Sequence, residues 1–484
     1  MDKITTQNMR FVDQHGRERI FNGVNICDKG RFNGKNYEYV TKWDDDRLDR
    51  LAENGVNLIR LGTTWDAIEP EPGKYNDEYI DALVGLADRC AEHKMYFYLD
   101  MHQDLYSGFD GLAGDGAPKW ACLTKGAVPQ PTKFVWAEGY FWGRAVQNAF
   151  DAFWNNEKVE GKGLLEYFAD MWAHLASRFK DHPALFGFDM LNEPYPGTDG
   201  GKIFRRLILN LIWVTLTDKR INKIELIKTA LSKNPIRVLD FYTGDVLRSI
   251  TKSCDNIVKD FDLNRYSPFL NRTSEAIRNV TDEGILFVDN NYYSNTGIPS
   301  FTPPITVNGK VDEKQCFGPH AYDFMVDTEL YKFASNSRVG SIFEEHRRAQ
   351  ERLGIPVVVG EWGGNSEGTE WLPHIEYLLA LFDSYKWSFT YWEHTAYLYN
   401  APLKKTLQRP FPTAVCGEIV SYKHNRANKC FTLIWEQDKE YDVPTEVFVP
   451  FEAKRILTDG EYTLDGTVLK INGKVGHNEL LINF

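Results

Sequence analysis

At 484 residues the chain is about three times a typical domain, enough for one α/β barrel with a smaller domain beside it. With 43% hydrophobic, 14% aromatic and 26% charged residues it has material for packed cores, and its formal charge of −12 with no dense basic stripe argues against nucleic acid as a partner. Seven scattered cysteines with no Cys-x-x-Cys pair suggest neither a disulfide framework nor a zinc site.

The opening stretch, MDKITTQNMRFVDQHG, lacks the apolar core of a secretory signal. A cytoplasmic protein, or one whose leader is missing from this chain, is expected. From about residue 20 to 400, short β-rich runs alternate with amphipathic stretches, the pattern of βα units around a parallel sheet. Eight strands are predicted: 21–25, 57–61, 95–100, 185–191, 284–288, 316–320, 356–360 and 387–392. Helices are predicted over 44–54, 76–94, 164–180, 341–353 and 374–385. The fold class expected is a (β/α)8 TIM barrel over residues 1–405, with an insertion at about 197–283 and a C-terminal antiparallel β-sandwich over 406–484. Within the insertion, Ile203 to Leu216 is strongly apolar, too short to span a bilayer and flanked by Lys202, Arg205, Arg206, Lys219 and Arg220. It is expected to touch a membrane or micelle, the alternative being a helix packed on the barrel wall. Glycines 108, 111, 114 and 116 suggest a mobile loop at the active site, since no Gly-Lys-Ser/Thr follows to make a phosphate loop.

In such a barrel the active site lies at the carboxyl ends of the strands. There the sequence offers Arg60, then Asp100, His102 and Asp104, then Asn192 and Glu193, then His320 and Tyr322, then Glu361, and finally Trp392, Glu393 and His394. So many polar strand ends aimed at one centre are hard to explain by packing. Glu193 after strand four and Glu361 after strand seven would face each other across the mouth, and glycoside hydrolysis needs such a pair: an acid for the departing oxygen and a carboxylate to attack the anomeric carbon. The two must differ in proton affinity, so the acid needs a raised pKa and the nucleophile needs donors.

On Leu58-Ile59-Arg60, His102, Leu191-Asn192-Glu193-Pro194, His320-x-Tyr322, Gly360-Glu361 and Trp392, the chain resembles the (β/α)8 glycoside hydrolases of family 5. Asp100 to Asp104, Gly116-Ala117-Pro118-x-Trp120, Phe153-Trp154 and Pro444-Thr445-Glu446 are similar to the endoglycoceramidase and microbial glucosylceramidase branch. The resemblance implies a retaining β-glycosidase that cuts sugar from ceramide in glycosphingolipids, with no cofactor and no metal. It implies Glu193 as acid/base and Glu361 as nucleophile, with Arg60 and Tyr322 bonded to the nucleophile and His320 beside the acid. Asn192 would hold the 2-hydroxyl of the reacting sugar, Trp392 would lie beneath that sugar, and His102, Asp104 and Lys29 would grip its hydroxyls. Glu393 is expected to have a structural or mixed use, binding a sugar or pairing with an Arg. The alternatives are a family 5 β-glucosidase or endoglucanase acting on non-lipid β-glycosides, and a carbohydrate- or lipid-binding protein on an inactive barrel.

Overall fold

A computed structural model describes residues 1–39, 45–131, 133, 135–326, 328–364, 369–393, 398 and 402–484. Eight strands form one parallel sheet: β1 (Asn22–Cys27), β2 (Leu58–Thr64), β3 (Tyr96–His102), β4 (Leu185–Asp189), β5 (Ile285–Asp289), β6 (Gln315–Gly318), β7 (Val358–Val359) and β8 (Ser388–Tyr391). Their spatial order, β6-β5-β4-β3-β2-β1-β8-β7, is closed by a parallel bridge between Phe317 and Val357, so the sheet is a barrel without a free edge. All eight predicted strands are present, some shorter than expected. β4 ends at Asp189 rather than Leu191, and β7 keeps only two ladder residues.

Helices α1 (Asp45–Glu53), α2 (Asp77–Glu92), α3 (Arg144–Trp154), α4 (Leu164–Phe179), α9 (Asn336–Leu353) and α10 (Leu372–Tyr385) bury apolar stripes against the outside of the sheet. The sequence predicts the α9 helix to start at residue 341, but Ser335 caps it by accepting from the Arg338 amide, adding a turn. Asp44 and His394 lie outside the described residues.

The barrel interior below the mouth is filled by Tyr98, Phe186, Ile285 and Phe287, with Tyr98 stacked on Phe287 at 4.3 Å between ring centroids. Gly187 makes room for this: a Cβ there would meet the Ile285 carbonyl oxygen at 2.2 Å. Phe11 closes the bottom, its ring 5.2 Å from Phe186 and 5.9 Å from Phe21. Phe11 comes from three short N-terminal strands, Ile4–Gln7, Arg10–Asp13 and Arg17–Arg19, which do not belong to the barrel sheet.

They extend the C-terminal sheet instead, with Arg19 opposite Ala414 and Arg17 opposite Cys416. The C-terminal strands are β9 (Phe411–Cys416), β10 (Glu418–Asn425), β11 (Cys430–Gln437), β12 (Thr445–Phe448), β13 (Arg455–Thr458), β14 (Glu461–Asp465), β15 (Val468–Asn472) and β16 (Gly476–Asn483). One sheet continues from the N-terminal strands through β9-β12-β15-β14, and the second runs β10-β11-β16-β13. Val415, Val447, Leu469 and Ile471 from the first meet Tyr422, Leu433, Trp435 and Ile482 from the second in one apolar core, which makes a sandwich. The first 19 residues thus pair with this sandwich, although the sequence reading assigns them to the barrel. Three-residue strands with buried charges such as Arg17 and Glu18 carry no alternation from which that pairing could be inferred.

The insertion is helical: α5 (Thr198–Thr217), α6 (Lys223–Ala230), α7 (Gly244–Thr251) and α8 (Ser267–Arg278), with shorter turns between. It has a small core of its own, where Val214 of α5 meets Ile221, Tyr242, Val246 and Ile250, with Leu207, Leu211 and Leu226 against it. The other side of α5 faces water: Leu209 and Trp213 are each 66% exposed and Leu216 71%, with Ile208 and Ile212 also exposed. The 203–216 run therefore packs one face on protein, largely on the insertion's own core, and leaves the other bare. No helix among the described residues is long and apolar enough to cross a membrane. All seven cysteines are free thiols.

Candidate active site

Arg60, on β2, is fully buried at the centre of the barrel mouth. Its Nη1 donates to Glu361 Oε1 at 2.6 Å and to Asn25 Oδ1 at 3.1 Å, while Nη2 reaches Asp100 at 2.9 Å, Asp189 at 2.9 Å and Asn192 Oδ1 at 3.0 Å. Burial opposes the charge of this guanidinium, but Asp100, Asp189 and Glu361 outweigh it and hold its pKa well above the ordinary value. Asp189 is pushed up to about 7 by burial, although Arg60 pulls it down. Glu361 takes a second donor on its other oxygen, the Tyr322 hydroxyl at 3.2 Å. Two donors on two oxygens fix the carboxylate in place.

Glu193 stands opposite. Its φ is +42°, a left-handed conformation that costs a non-glycine residue about 1–3 kcal/mol and persists only where the surroundings enforce it. They do: Glu193 N donates to Asp289 Oδ2 at 3.1 Å, and Gln103 Nε2 donates to the carbonyls of Asn192 at 2.9 Å and Glu193 at 3.3 Å. On the side chain, Oε1 accepts from Asn295 Nδ2 at 2.6 Å and lies 3.2 Å from His320 Nδ1. Burial, with the nearby charge of Asp104, pushes the Glu193 carboxyl up to about 7. His320 is driven down to about 3 by burial, so its ring is neutral at pH 7. One carboxylate oxygen of Glu193, one of Glu361 and a ring nitrogen of His320 all lie within 4.8 Å of one another. Oxygens this close fit the roughly 5–5.5 Å carboxyl separation of a retaining pair.

The polar wall comes from β3 and the loop after β1. His102 Nδ1 lies 2.9 Å from Asp100 Oδ2, and the ring stacks on Trp392 with centroids 5.2 Å apart and 12° between planes. Burial and Lys29 oppose a charge on His102, yet Asp100 and Asp104 raise it to about 10. Lys29 bonds to Asp104, lies 3.5 Å from Asp115 and sits 5.1 Å from the Trp392 ring centre. Burial would raise Asp104, but Lys29 and His102 prevail and hold it below the ordinary range. Asp115 is pushed up to about 6 by burial.

His102, Asp104 and Asp115 bring possible metal-ligand atoms within 4.8 Å, as do Asp189, Asp289 and His320. In these clusters and in Glu193, His320 and Glu361, one carboxylate is already bonded to Lys29 or Arg60, so a cationic side chain supplies the positive charge.

The structure brings Lys29, Arg60, His102, Asp104, Asn192, Glu193, His320, Tyr322, Glu361 and Trp392 together at one mouth. Glu393, expected to be structural or mixed, is mostly buried within electrostatic reach of Lys29, His102 and Glu361, and burial raises its pKa. Asn295 and Asp289 are additional. Asp289-Asn290-Asn291 directly follows the apolar β5, so the polar strand-end signal is present there too. Asn295 lies a turn further on, in a short 3-10 helix at Tyr292–Thr296, where no sequence rule points inward. The loop of glycines is pinned at its base, while Asp110 and Gly111 at its tip are exposed. Asp104 and Asp115 exchange backbone hydrogen bonds at 3.2 and 2.9 Å, and a Cβ on Gly114 would collide with the Asp104 carbonyl. This pinning is what presents Asp115 to Lys29.

The sequence matches the family model described as Cellulase (glycosyl hydrolase family 5) over residues 12–238 and 253–397, and that of the glycoside hydrolase family 5 C-terminal domain over 409–471. It is 30% identical over 217 residues to an endoglycoceramidase of Cyanea nozakii, covering 40% of this chain and 42% of that one. It is 32% identical over 188 residues to endoglycoceramidase I of Rhodococcus hoagii (strain 103S), covering 39% and 36%. The chain thus spans about two fifths of the length of the curated relatives it matches. The solved structure of endo-glycoceramidase II from Rhodococcus sp. shares the fold with a TM-score of 0.75 over 98% of both chains, at 23% identity. With both family models placed on the two parts of the molecule, the chain belongs to glycosyl hydrolase family 5.

Proposed function

We propose that the protein hydrolyses the β-glycosidic bond between sugar and ceramide in glycosphingolipids with retention of configuration. The observation that carries the reading is the pair Glu193 and Glu361, with carboxylate oxygens within 4.8 Å. Glu193, whose pKa of about 7 leaves much of it protonated near neutrality, gives its proton to the departing oxygen. Glu361, held by Arg60 and Tyr322, attacks the anomeric carbon to form a glycosyl ester. Glu193 then takes a proton from water as the ester is hydrolysed. Trp392 lies under the reacting sugar, Asn192 binds its 2-hydroxyl, and Lys29, His102 and Asp104 bind further hydroxyls. The names of the relatives support a glycosphingolipid substrate, and a Rhodococcus endo-glycoceramidase II has been solved with ganglioside GM3. Ceramide chains cost about 0.8 kcal/mol for each methylene exposed to water, so the same reading includes contact with a membrane or micelle through residues 203–216.

The test is incubation with glucosylceramide, lactosylceramide, a ganglioside, a steryl glucoside and cellulose, with separated products and an early NMR spectrum. Ceramide release with the β-anomer formed first is expected. Cello-oligosaccharides without lipid cleavage, or the α-anomer first, would overturn the reading.

A further inference from the structure

The insertion has a charge that the rest of the chain lacks. The whole sequence is acidic, with a formal charge of −12, yet residues 202–237 hold nine Lys or Arg against two Asp or Glu, a local charge of +7. Arg205, Lys219 and Lys233 in this segment are exposed. The same segment holds two sets of bare apolar side chains. On α5 they are Ile208, Leu209, Ile212, Trp213 and Leu216, at the spacing of one helical face. On α6 and directly after it they are Ile224, Ile227 and Leu231, exposed by 67%, 57% and 83%. Both helices cover the small insertion core, through Leu211 and Leu226, so the bare residues are turned away from it. Isolated apolar side chains on a surface are ordinary, but this concentration marks a surface that something covers.

We propose that α5 and α6 together form a docking platform for an anionic lipid surface. The apolar side chains enter the boundary between headgroups and acyl chains, and the surrounding lysines and arginines meet phosphate or carboxylate headgroups. The choice of a charged lipid surface over a second copy of the chain rests on complementarity. Two copies meeting through this face would oppose two segments of +7, whereas an anionic surface neutralises one.

The platform is rooted beside the catalytic pair. The Tyr293 hydroxyl donates to the Gly200 carbonyl in the first turn of α5, and Tyr293 shares its short helix with Asn295, which holds Glu193. Phe204 of α5 stacks on Phe141 at 4.5 Å. A surface held by α5 is therefore tied to the barrel mouth through packed groups. The use of the platform in delivering a glycolipid rests on the reading given above, but its affinity for lipid does not.

The experiment is co-sedimentation of the full chain with vesicles of phosphatidylcholine alone or with about 30% phosphatidylserine. Binding at least about ten-fold tighter to the anionic vesicles, lost in about 0.5 M salt, is expected. Leu209→Asp with Trp213→Ala should abolish binding to both. Lys223→Glu with Lys228→Glu should reduce binding on the anionic vesicles to that on neutral ones. Neither pair should alter the melting temperature or turnover of a soluble aryl glycoside. Equal binding to both vesicle types would overturn the charge selectivity. An absence of binding, with a concentration-dependent dimer that Leu209→Asp dissolves, would show that a second copy covers the face. Vesicle binding as expected in a protein inactive on every glycoside would support the platform and reject the glycosidase reading alone.

Discussion

At the barrel mouth, charged groups are buried against one another, whereas a few residues further along the chain α5 turns apolar side chains to water. Arg60 is inaccessible to solvent and donates to three carboxylates, and Lys29 is held between Asp104 and Asp115. On α5, Leu209, Trp213 and Leu216 meet nothing described in the structure that shields them. Each region places groups where they are costly: charge in low dielectric, hydrocarbon in water. The mouth offsets its buried charges with partners inside the chain, Arg60 and Lys29 facing its carboxylates. The insertion leaves Leu209, Trp213 and Leu216 exposed within the chain. Substitutions in the first should therefore act on every substrate, and those in the second only on substrates presented by a surface.

The largest effect should come from the nucleophile. Glu361→Gln is expected to lower kcat by at least about 10³ on a glycolipid and on an aryl glycoside alike. Azide should revive Glu361→Gly and yield the α-glycosyl azide, which NMR identifies. Loss on the lipid alone would break the comparison, since the mouth would then depend on the surface.

Arg60→Met should follow, with a fall in kcat of about 10²-fold and a loss of about 3–5 kcal/mol in stability, because Asp100, Asp189 and Glu361 lose a common partner inside the barrel. Denaturant unfolding beside steady-state kinetics measures both. Unchanged stability would mean that water replaces the guanidinium and that the mouth is wetter than its burial indicates.

Asn295→Ala sharpens the mechanism through pH. Activity that needs protonated Glu193 should decline as pH rises through about 7. The Asn295 amide lowers the Glu193 pKa, so its removal should move this limb to higher pH. A fall of about ten-fold in kcat/KM is expected on a glycolipid, with little change on an aryl glycoside whose leaving group needs no proton. The same proton leaves a mark on stability. The folded Glu193 pKa exceeds its ordinary value of 4.5, so between about pH 4.5 and 7 the unfolded chain releases a proton that the folded one keeps, and stability falls as pH rises. Glu193→Gln should flatten that slope in melting curves taken across the window.

The smallest effect on the protein itself belongs to Leu209→Asp with Ile212→Asp. Each change should cost no more than about 0.5 kcal/mol and leave the aryl glycoside untouched, while cleavage of vesicle-bound glycolipid slows. A lowered melting temperature with equal loss on both substrates would show that this face packs on protein.

The strands and the main site residues are legible in the sequence because their signals are local. An apolar run of four to six residues followed by polar ones marks a barrel strand and its mouth, and His102, Asn192, Glu193, His320 and Glu361 follow that rule, whereas Arg60 lies inside β2 after only two apolar residues. Asn295 does not, since it lies beyond the strand end and reaches Glu193 only through the turn at Tyr292–Thr296. The N-terminal strands are equally silent, because the pairing of Arg19 with Ala414 spans almost the whole chain and no local pattern encodes a partner.

What the sequence determined by itself is the alternation of strands and helices, the two glutamates and their order, and a basic segment containing an apolar helix. The tertiary structure decided the rest. It closed the ring, so that Arg60 meets Asp189 and Glu361 from distant strands, and it set which face of α5 is covered. That helix is apolar on both sides, and periodicity cannot distinguish two apolar faces until Tyr242, Val246 and Ile250 take one of them.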